Sequence, residues 1–527
     1  MASQPLLFMK SKILLIFIVL LGSGLRLFHL GSRPLGFTWD EAALGYNAYS
    51  LLKTGRDEYG KILPVVLKSF GDYKPGVYAY LAVPSIATLG LSEFATRLPS
   101  AIFGTLLVIV VYLLTRNAFT ALLLAINPWS LYFSRGAWEA NIALVFTTLG
   151  ALLFIKRRYL TSALFFGLTF LTYQGAKMFT PLLLVSLFLI YRPNIKLLIK
   201  PLIFLFLLFL PILLGLGTQS GRLKVFSVFS YTRRPDTIVE IKRQDKNNPF
   251  LFTLFDSEII DQGRGVLQRY LNHLSPYFLF FAGDWQNLRH SVPYYGYFHL
   301  PEILTILIGL VVLLRTNNQL TKLLIAWLLL AALPSTLSRD LVSGVRSLPL
   351  LVPLIIISGI GLAQLFRHRF LLYSYTLILL FFFVYYLDLF YVHSPNFTAA
   401  DMLYPYKPAL TLIKQHLGEY QRVIISDKLG QPYIFTLFYL RIDPLEYQRQ
   451  SQLTANPQGD VGHVDRFDQF VFRPLFLPED RYLRSTILIG DRYELPDPDL
   501  PSIPNLVMLG DIKYPNGAPG LKVIGLK

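Results

Sequence analysis

The residues of this chain most suited to chemistry are two adjacent carboxylates, Asp40 and Glu41, which follow the first apolar segment. Lys74 returns in the same loop and precedes Pro75, which restricts the backbone around the lysine. A carboxylate with a raised pKa can take a proton from an attacking hydroxyl group, and an ammonium group can hold an anion. The spacing therefore indicates acid–base chemistry beside an anion site. Alternatively, the two acids only begin a surface helix, where carboxylates are favoured.

Further cations lie in short connections that we expect on the same side of a membrane as the acid pair. They are Arg135, Lys177, Arg339 and Arg346. Basic residues are disfavoured on the outward side of a membrane protein, and Arg and Lys are the usual partners of phosphate. The set therefore predicts an anionic ligand with a phosphate group. Separate contacts with lipid head groups would explain each cation equally well.

Three more side chains are candidates for the acceptor side of such a site. Glu139 follows Arg135 by four residues, so it is either the partner of an ordinary i,i+4 helix pair or a second acid in the same cavity. Tyr73 and Tyr173 lie in the same short segments as two of the lysines. We expect these three residues to contact the acceptor or to supply the second acid.

The composition indicates the elements that must position these residues. The chain has 527 residues, of which 53% are hydrophobic and 15% charged, whereas about a quarter of the residues of a soluble domain are charged. We therefore predict a polytopic α-helical membrane protein. About eleven apolar runs have the length of a membrane helix; they lie near 12–30, 97–116, 118–134, 138–155, 159–173, 177–191, 197–217, 298–315, 320–337, 347–366 and 370–392.

The basic residues of the short connections predict the orientation. A cytoplasmic N-terminus gathers most of them on the cytoplasmic side, as the positive-inside rule requires; they are Lys10, Lys12, Arg116, Lys156, Arg157, Arg158, Arg192, Lys196, Lys200, Arg315, Lys322, Arg367 and Arg369. The acid pair then faces outward from a multi-pass protein of the cell membrane. Much of the net charge of +17 lies beside anionic lipid head groups, so we expect membrane lipids and no nucleic acid as partners.

Three outward regions are too long to be turns. Residues 1–392 form the predicted membrane domain, with outward loops at 31–96 and 218–297; the first loop carries the acid pair and the second is a candidate lid. From 393 to 527 the composition is that of a soluble domain, with strand patterns near 423–426, 470–472, 486–489 and 506–509. We therefore predict a C-terminal extracytoplasmic α/β domain.

Several kinds of site lack support in the sequence. The chain has no cysteine, which excludes disulfides and thiolate chemistry. Its eight histidines form no metal motif, so no metal site is predicted, although Asp40, Glu41 and Glu139 can bind a divalent cation through oxygen. No phosphate-cradling glycine loop or dinucleotide fingerprint stands between a strand and a helix.

Asp40-Glu41 after the first membrane helix, followed in the same loop by Tyr73-Lys74-Pro75, resembles one branch of the GT-C glycosyltransferases. This is the protein O-mannosyltransferase and aminoarabinose (lipid A) transferase branch, whose first loop carries an Asp-Glu pair and then a Lys-Pro-Pro or His-Pro-Pro motif. Gly76 stands where the second proline is expected. The resemblance covers residues 12–392 and implies a polyprenyl-phosphate sugar as donor and inversion at the anomeric carbon.

Carried over by position, the resemblance implies that Asp40 is the general base, that Glu41 orients it and that Lys74 binds the donor phosphate. Glu139 is similar in placement to a second acid of the family. The predicted enzyme is an inverting glycosyltransferase that moves the sugar to a lipid, glycan or protein acceptor outside the membrane. The alternative is a transporter or flippase that moves a lipid-linked sugar without cleaving it, although such proteins usually show paired repeats with broken helices, and none is visible in this sequence.

Overall fold

A computed structural model describes residues 4–214, 228–230, 233–245, 249–365, 369–454 and 461–527. Most of these residues are helical, and a sheet lies near the C-terminus. The chain divides into two compact units. The first consists of Met1–Ile109, Ser130–Val145 and Phe383–Lys527, and the second of Val110–Trp129 and Phe146–Phe382.

Some helices of the first part of the chain end at glycine or asparagine. For example, the helix Trp39–Thr54 is followed by Gly55 in the left-handed conformation, which glycine adopts without steric cost. The helices of this part of the chain are α1 (Gln4–Leu27), α2 (Trp39–Thr54), α3 (Val77–Leu89), α4 (Glu93–Thr115), α5 (Ala118–Ile126), α6 (Pro128–Phe133), α7 (Glu139–Ile155), α8 (Tyr159–Phe170), α9 (Ala176–Tyr191) and α10 (Ile195–Leu214).

The remaining helices include short amphipathic ones in the predicted loop 218–297, whose first residues lie outside the described part of the chain. They are α11 (Pro235–Gln244), α12 (Pro249–Phe255), α13 (Glu258–Leu274), α14 (Glu302–Arg315), α15 (Gln319–Ala331), α16 (Leu333–Thr336), α17 (Leu351–Leu365), α18 (Arg369–Asp388), α19 (Ser394–Thr398), α20 (Tyr406–Ile413), α21 (Pro432–Leu440), α22 (Pro444–Gln450) and α23 (Leu477–Asp480).

The protein is helical and of the membrane type, as predicted. Within the described ranges, five helical stretches are long and apolar enough to cross a membrane: Glu93–Thr115, Ile195–Leu214, Gln319–Thr336, Leu348–Leu365 and Phe370–Thr398. The apolar helices α3, α7, α8 and α9 are shorter, and the predicted run 118–134 is divided between α5 and α6 at Asn127. The count of eleven spans therefore stays a prediction.

The C-terminal sheet confirms the predicted α/β architecture. Its six strands lie in the order β6, β7, β3, β8, β10, β9, and β3 runs parallel to β7 and β8 while the other pairs are antiparallel. The turn at Asn516-Gly517 joins the last two strands, and Gly517 has a φ of +81°. The strands are β3 (Arg422–Ile425), β6 (Arg466–Phe467), β7 (Phe470–Phe472), β8 (Thr486–Gly490), β9 (Leu506–Lys513) and β10 (Pro519–Leu526).

The predicted loop 31–96 is largely ordered secondary structure. It contains α2, α3 and a hairpin of β1 (Val66–Ser69) and β2 (Asp72–Pro75), in which Leu67 pairs with Lys74. The turn at Phe70-Gly71 has positive φ at both residues. A second small ladder joins β4 (Leu453–Thr454) and β5 (His463–Val464). The loop lies in the same compact unit as the C-terminal sheet, whereas the proposed boundary at 392/393 rests on composition alone.

Candidate active site

Asp40 and Glu41 lie in the first turn of α2, so they do begin a helix, but most of its residues are buried and it is not the surface helix of the alternative. Thr38 is the N-cap: its hydroxyl oxygen accepts a hydrogen bond from the Glu41 backbone N–H at 3.3 Å. The Glu41 carboxylate accepts one from the Thr38 backbone N–H at 3.1 Å. This capping box fixes the start of the helix, and the helix dipole favours both negative charges there.

Glu41 is buried in a network of donors. Its side chain is 1% exposed, and it accepts hydrogen bonds from Nε of Arg97 at 2.9 Å and from the Ala137 backbone N–H at 2.9 Å. The same guanidinium also donates to the carbonyl oxygens of Leu30, Pro34 and Gly36. Glu41 therefore ties the start of α2 to α4 and to the preceding loop. This placement fits an orienting role rather than contact with a substrate.

Asp40, unlike Glu41, is accessible to solvent. Its carboxylate is paired with the Lys74 ammonium, and about a third of the Asp40 side chain (36%) is exposed while Lys74 is almost buried. The ammonium also lies 5.2 Å from the centroid of the Phe70 ring, a favourable cation–π contact. The pair thus places an accessible carboxylate beside a sheltered positive charge, and the roles of the two residues in catalysis and phosphate binding stay predictions.

The hairpin explains why Gly76 replaces the second proline of the expected motif. The Gly76 backbone N–H donates to the Val65 carbonyl oxygen at 2.9 Å, closing the base of the hairpin that carries Lys74. A proline has no N–H to donate, and even a Cβ at this position would lie 2.9 Å from the same carbonyl oxygen. Glycine is therefore required by the local geometry.

Arg135 occupies a different environment from the one its predicted phosphate role needs. It is 1% exposed, and its guanidinium donates to the carbonyl oxygens of Leu25 at 2.5 Å and Phe28 at 2.6 Å, at the C-terminal end of α1. It also lies 5.1 Å and 5.3 Å from the ring centroids of Phe390 and Tyr391. These contacts cap the unsatisfied carbonyls of a helix end, which is a structural role.

The other candidates in this unit are Glu139 and Tyr73. Glu139 is the first residue of α7, and Arg135 precedes that helix, so the alternative of an i,i+4 helix pair is wrong. Tyr73 lies on β2 next to Lys74, where successive side chains point to opposite faces. Neither placement decides whether these residues meet an acceptor, and that role stays a prediction.

The remaining candidates, Tyr173, Lys177, Arg339 and Arg346, belong to the second unit. Lys177 is the second residue of α9, and Tyr173 lies just before that helix. Arg346 is paired with Asp340 and also donates to the Ser338 hydroxyl at 3.3 Å. The phosphate-binding role of these residues beside Asp40 and Lys74 remains a prediction.

The loop that carries Arg339 and Arg346 is anchored from within its own unit. The buried Asp284 carboxylate accepts hydrogen bonds from the Gly344 backbone N–H at 2.9 Å and from Nδ1 of His290 at 2.8 Å. Nε2 of the buried His273 accepts a hydrogen bond from the Ser343 backbone N–H at 2.9 Å. These bonds hold the backbone between the two arginines in one conformation.

Arg97 and Glu58 are two of the buried charged residues that the sequence does not identify as functional candidates. Arg97 has one available signal, since it is a lone arginine at the head of an apolar run. Glu58 has none. It is completely buried, and burial together with the negative charge of Asp57 raises the pKa of Glu58 to about 8. Burial likewise raises the pKa of Asp57.

A metal centre is not evident in the described ranges. No group of three or more His, Asp or Glu side chains there has an arrangement that could hold an ion. Of the three carboxylates that could bind a divalent cation, Glu41 already accepts four hydrogen bonds, two of them from Arg97. The Glu41 carboxylate is therefore already engaged in positioning α2.

Two crystal structures of ArnT from Cupriavidus metallidurans are similar to this chain. The apo structure has a TM-score of 0.52 and 14% sequence identity, with 97% of each chain covered. The structure bound to undecaprenyl phosphate has a TM-score of 0.52 and 13% identity, with 99% of this chain and 98% of that chain covered. No protein-family model and no curated protein matches the sequence. Over nearly its whole length, the chain thus has the ArnT-like GT-C membrane fold that its loop motifs predict.

Proposed function

We propose that this protein is an inverting glycosyltransferase that moves a sugar from a polyprenyl-phosphate donor to a hydroxyl-bearing acceptor outside the cell membrane. The observation that carries the proposal is the pairing of the accessible Asp40 carboxylate with the sheltered Lys74 ammonium. A transferase of this kind needs a base for the acceptor and a positive charge for the leaving phosphate, and the pair supplies both.

In the proposed reaction, the acceptor oxygen attacks the anomeric carbon from the face opposite the phosphate. The new carbon–oxygen bond forms as the bond to the phosphate oxygen breaks, and Asp40 takes the acceptor proton. The leaving polyprenyl phosphate gains one negative charge, which Lys74 stabilises. Because Lys74 holds Asp40 in this structure, arrival of the anionic donor would also free the carboxylate to act as base.

The donor class has independent support. One of the two similar ArnT crystal structures is bound to undecaprenyl phosphate. A lipid phosphate suits a site in which Glu41 bonds Arg97 of α4, a helix long and apolar enough to cross a membrane. We extend this donor class to the present protein and leave the acceptor as a lipid, glycan or protein hydroxyl.

Other residues have supporting roles in the proposal. Glu41 and Arg97 fix the start of α2 and hence the direction of Asp40. Lys177, Arg339 and Arg346 would add positive charge for the phosphate. Arg135 has a structural role instead, because it donates to backbone carbonyl groups at the end of α1. Glu139, Tyr73 and Tyr173 would face the acceptor. The N-terminus would lie in the cytoplasm and the site and C-terminal domain outside it.

The test is an assay of bond cleavage with the purified full-length chain. Synthetic polyprenyl-phosphate sugars are incubated with a panel of hydroxyl-bearing acceptors, and free polyprenyl phosphate is measured. We expect acceptor-dependent release of polyprenyl phosphate. If the protein instead moves the intact donor across the membrane of vesicles and no free polyprenyl phosphate is formed, it is the transporter of the alternative interpretation. The proposed transfer would then be wrong.

A further inference from the structure

Glu58 is a buried acid that the proposed reaction does not use. It lies between α2 and the β1–β2 hairpin, and its backbone N–H donates to Oδ1 of Asn47 at 3.0 Å. Asn47 in turn donates to the Ser69 hydroxyl at 3.4 Å, so the residue is tied to both neighbouring elements. The side chain is 0% exposed. Its carboxyl group is therefore held in place without access to solvent.

The carboxyl group has no hydrogen bond from the described residues. Both of its oxygen atoms are buried and unpaired. The Ser69 and Tyr433 hydroxyls lie nearby and favour the ionised form of Glu58, but burial outweighs their effect. An ionised carboxylate that is buried without donors is strongly disfavoured, so such a group takes up a proton instead. The geometry alone indicates that Glu58 is neutral in this structure.

Among the charged groups around Glu58, Lys74 is the one with a role in the proposed reaction. Its ammonium is close enough to favour ionisation of Glu58, although burial and the charge of Asp57 prevail. Lys74 thus pairs with the accessible carboxylate of Asp40 and has the buried carboxyl group of Glu58 in its surroundings. If Glu58 were ionised, its negative charge would compete with any anion for Lys74 and would repel a phosphate.

We propose that Glu58 is a positioning residue that acts on the donor through Lys74. Because Glu58 stays protonated, it does not neutralise the positive charge of Lys74, and this charge remains available to the donor phosphate. This inference rests on the proposed function, because it assigns Lys74 to the donor phosphate. Loss of the Glu58 proton adds a negative charge beside the bound phosphate, so donor affinity falls as the pH rises.

Charged and titratable groups on several elements surround Glu58. Asp57 adjoins it in the loop, Lys74 faces it from β2, and burial raises the pKa of each tyrosine around it above that of ordinary tyrosine. These tyrosines are Tyr46, Tyr59, Tyr433 and Tyr447. The last two belong to α21 and α22, so helices of the C-terminal region contribute to the surroundings of Glu58.

The experiment measures binding of undecaprenyl phosphate to the purified full-length chain across the alkaline range. Wild-type affinity should fall about tenfold between about pH 7 and about pH 9, because the protonated fraction of a group with a pKa near 8 falls by that factor. E58Q, which keeps the neutral shape but cannot ionise, should bind with nearly constant affinity over this range. D57N removes the neighbouring negative charge, lowers the pKa of Glu58 and should move the fall to lower pH.

The outcomes separate this inference from the proposed function. If E58Q shows the wild-type pH profile, or if the D57N profile coincides with that of wild type, the inference is overturned. If E58Q does not fold, the D57N profile decides alone. Lys74→Ala should bind undecaprenyl phosphate at least about tenfold more weakly at every pH, since it lacks the charge contact. Unchanged binding in Lys74→Ala would instead contradict the proposed function.

Discussion

At the scale of single residues, two neighbouring acids have different environments and hence different roles. Glu41 is buried and accepts four hydrogen bonds, whereas Asp40 is partly exposed and pairs with the Lys74 ammonium. The sequence predicts the pair, and the resemblance assigns the base to Asp40. It does not predict that Glu41 bonds Arg97, because that contact joins residues 56 positions apart.

Replacing Glu41 should lower stability more than it changes chemistry directly. Glu41→Gln leaves the buried Arg97 guanidinium without its counter-charge, and breaking one partner of a buried pair costs about 3 to 5 kcal/mol. We expect a lower melting temperature in detergent and reduced transfer. Glu419→Gln, at an exposed acid in a surface pair, is the matched control and should change the free energy of unfolding by less than about 0.5 kcal/mol. Full stability with abolished transfer would make Glu41 a catalytic residue instead.

At the scale of elements, the described hairpin was not predicted, whereas the C-terminal strands were. Val423 to Ile425 and Thr486 to Ile489 form apolar, β-branched runs, and these mark buried strands. The strands of the β1–β2 hairpin have four residues each and a mixed composition, so no period is visible. The role of Arg135 was also missed, because the carbonyl groups at the end of α1 require donors that no local pattern reveals.

Gly76 offers a test of the hairpin as the support of Lys74. Gly76→Ala places a Cβ 2.9 Å from the Val65 carbonyl oxygen and should cost about 1 to 3 kcal/mol through overpacking. Displacement of the strand should also weaken binding of undecaprenyl phosphate. Gly263→Ala is the control: it lies inside α13 with no atom within 4 Å of the added Cβ, and it should leave binding unchanged. Equal binding in both variants would show that the hairpin base does not position Lys74.

At the scale of the whole molecule, the fold was predictable from two short motifs and the apolar runs, although identity to the similar ArnT structures is only 14% and 13%. The C-terminal region was expected as a separate outward domain. In the structure it shares a compact unit with the loop that carries Asp40 and Lys74, and Tyr433 and Tyr447 lie near Glu58. Such contacts between distant parts of the chain have no local signal, which is why Glu58 could not be identified from the sequence.

The predicted orientation can be tested because the chain contains no cysteine. Tyr493→Cys places one thiol at an exposed position of the C-terminal region, and Lys156→Cys places one in a turn that we expect in the cytoplasm. A membrane-impermeant thiol reagent should label Tyr493→Cys in intact cells and Lys156→Cys only after permeabilisation. Labelling of Lys156→Cys in intact cells would reverse the orientation derived from the basic residues.

The most direct test of the account is the activity of Asp40→Asn. The substitution keeps the size of the side chain and removes its ability to accept the acceptor proton. We expect the purified variant to bind undecaprenyl phosphate at least as well as wild type, because Lys74 is no longer held by a carboxylate. Release of polyprenyl phosphate from the donor should fall by about 10² to 10⁴. Normal release by a folded Asp40→Asn variant would contradict the assignment of Asp40 as the base.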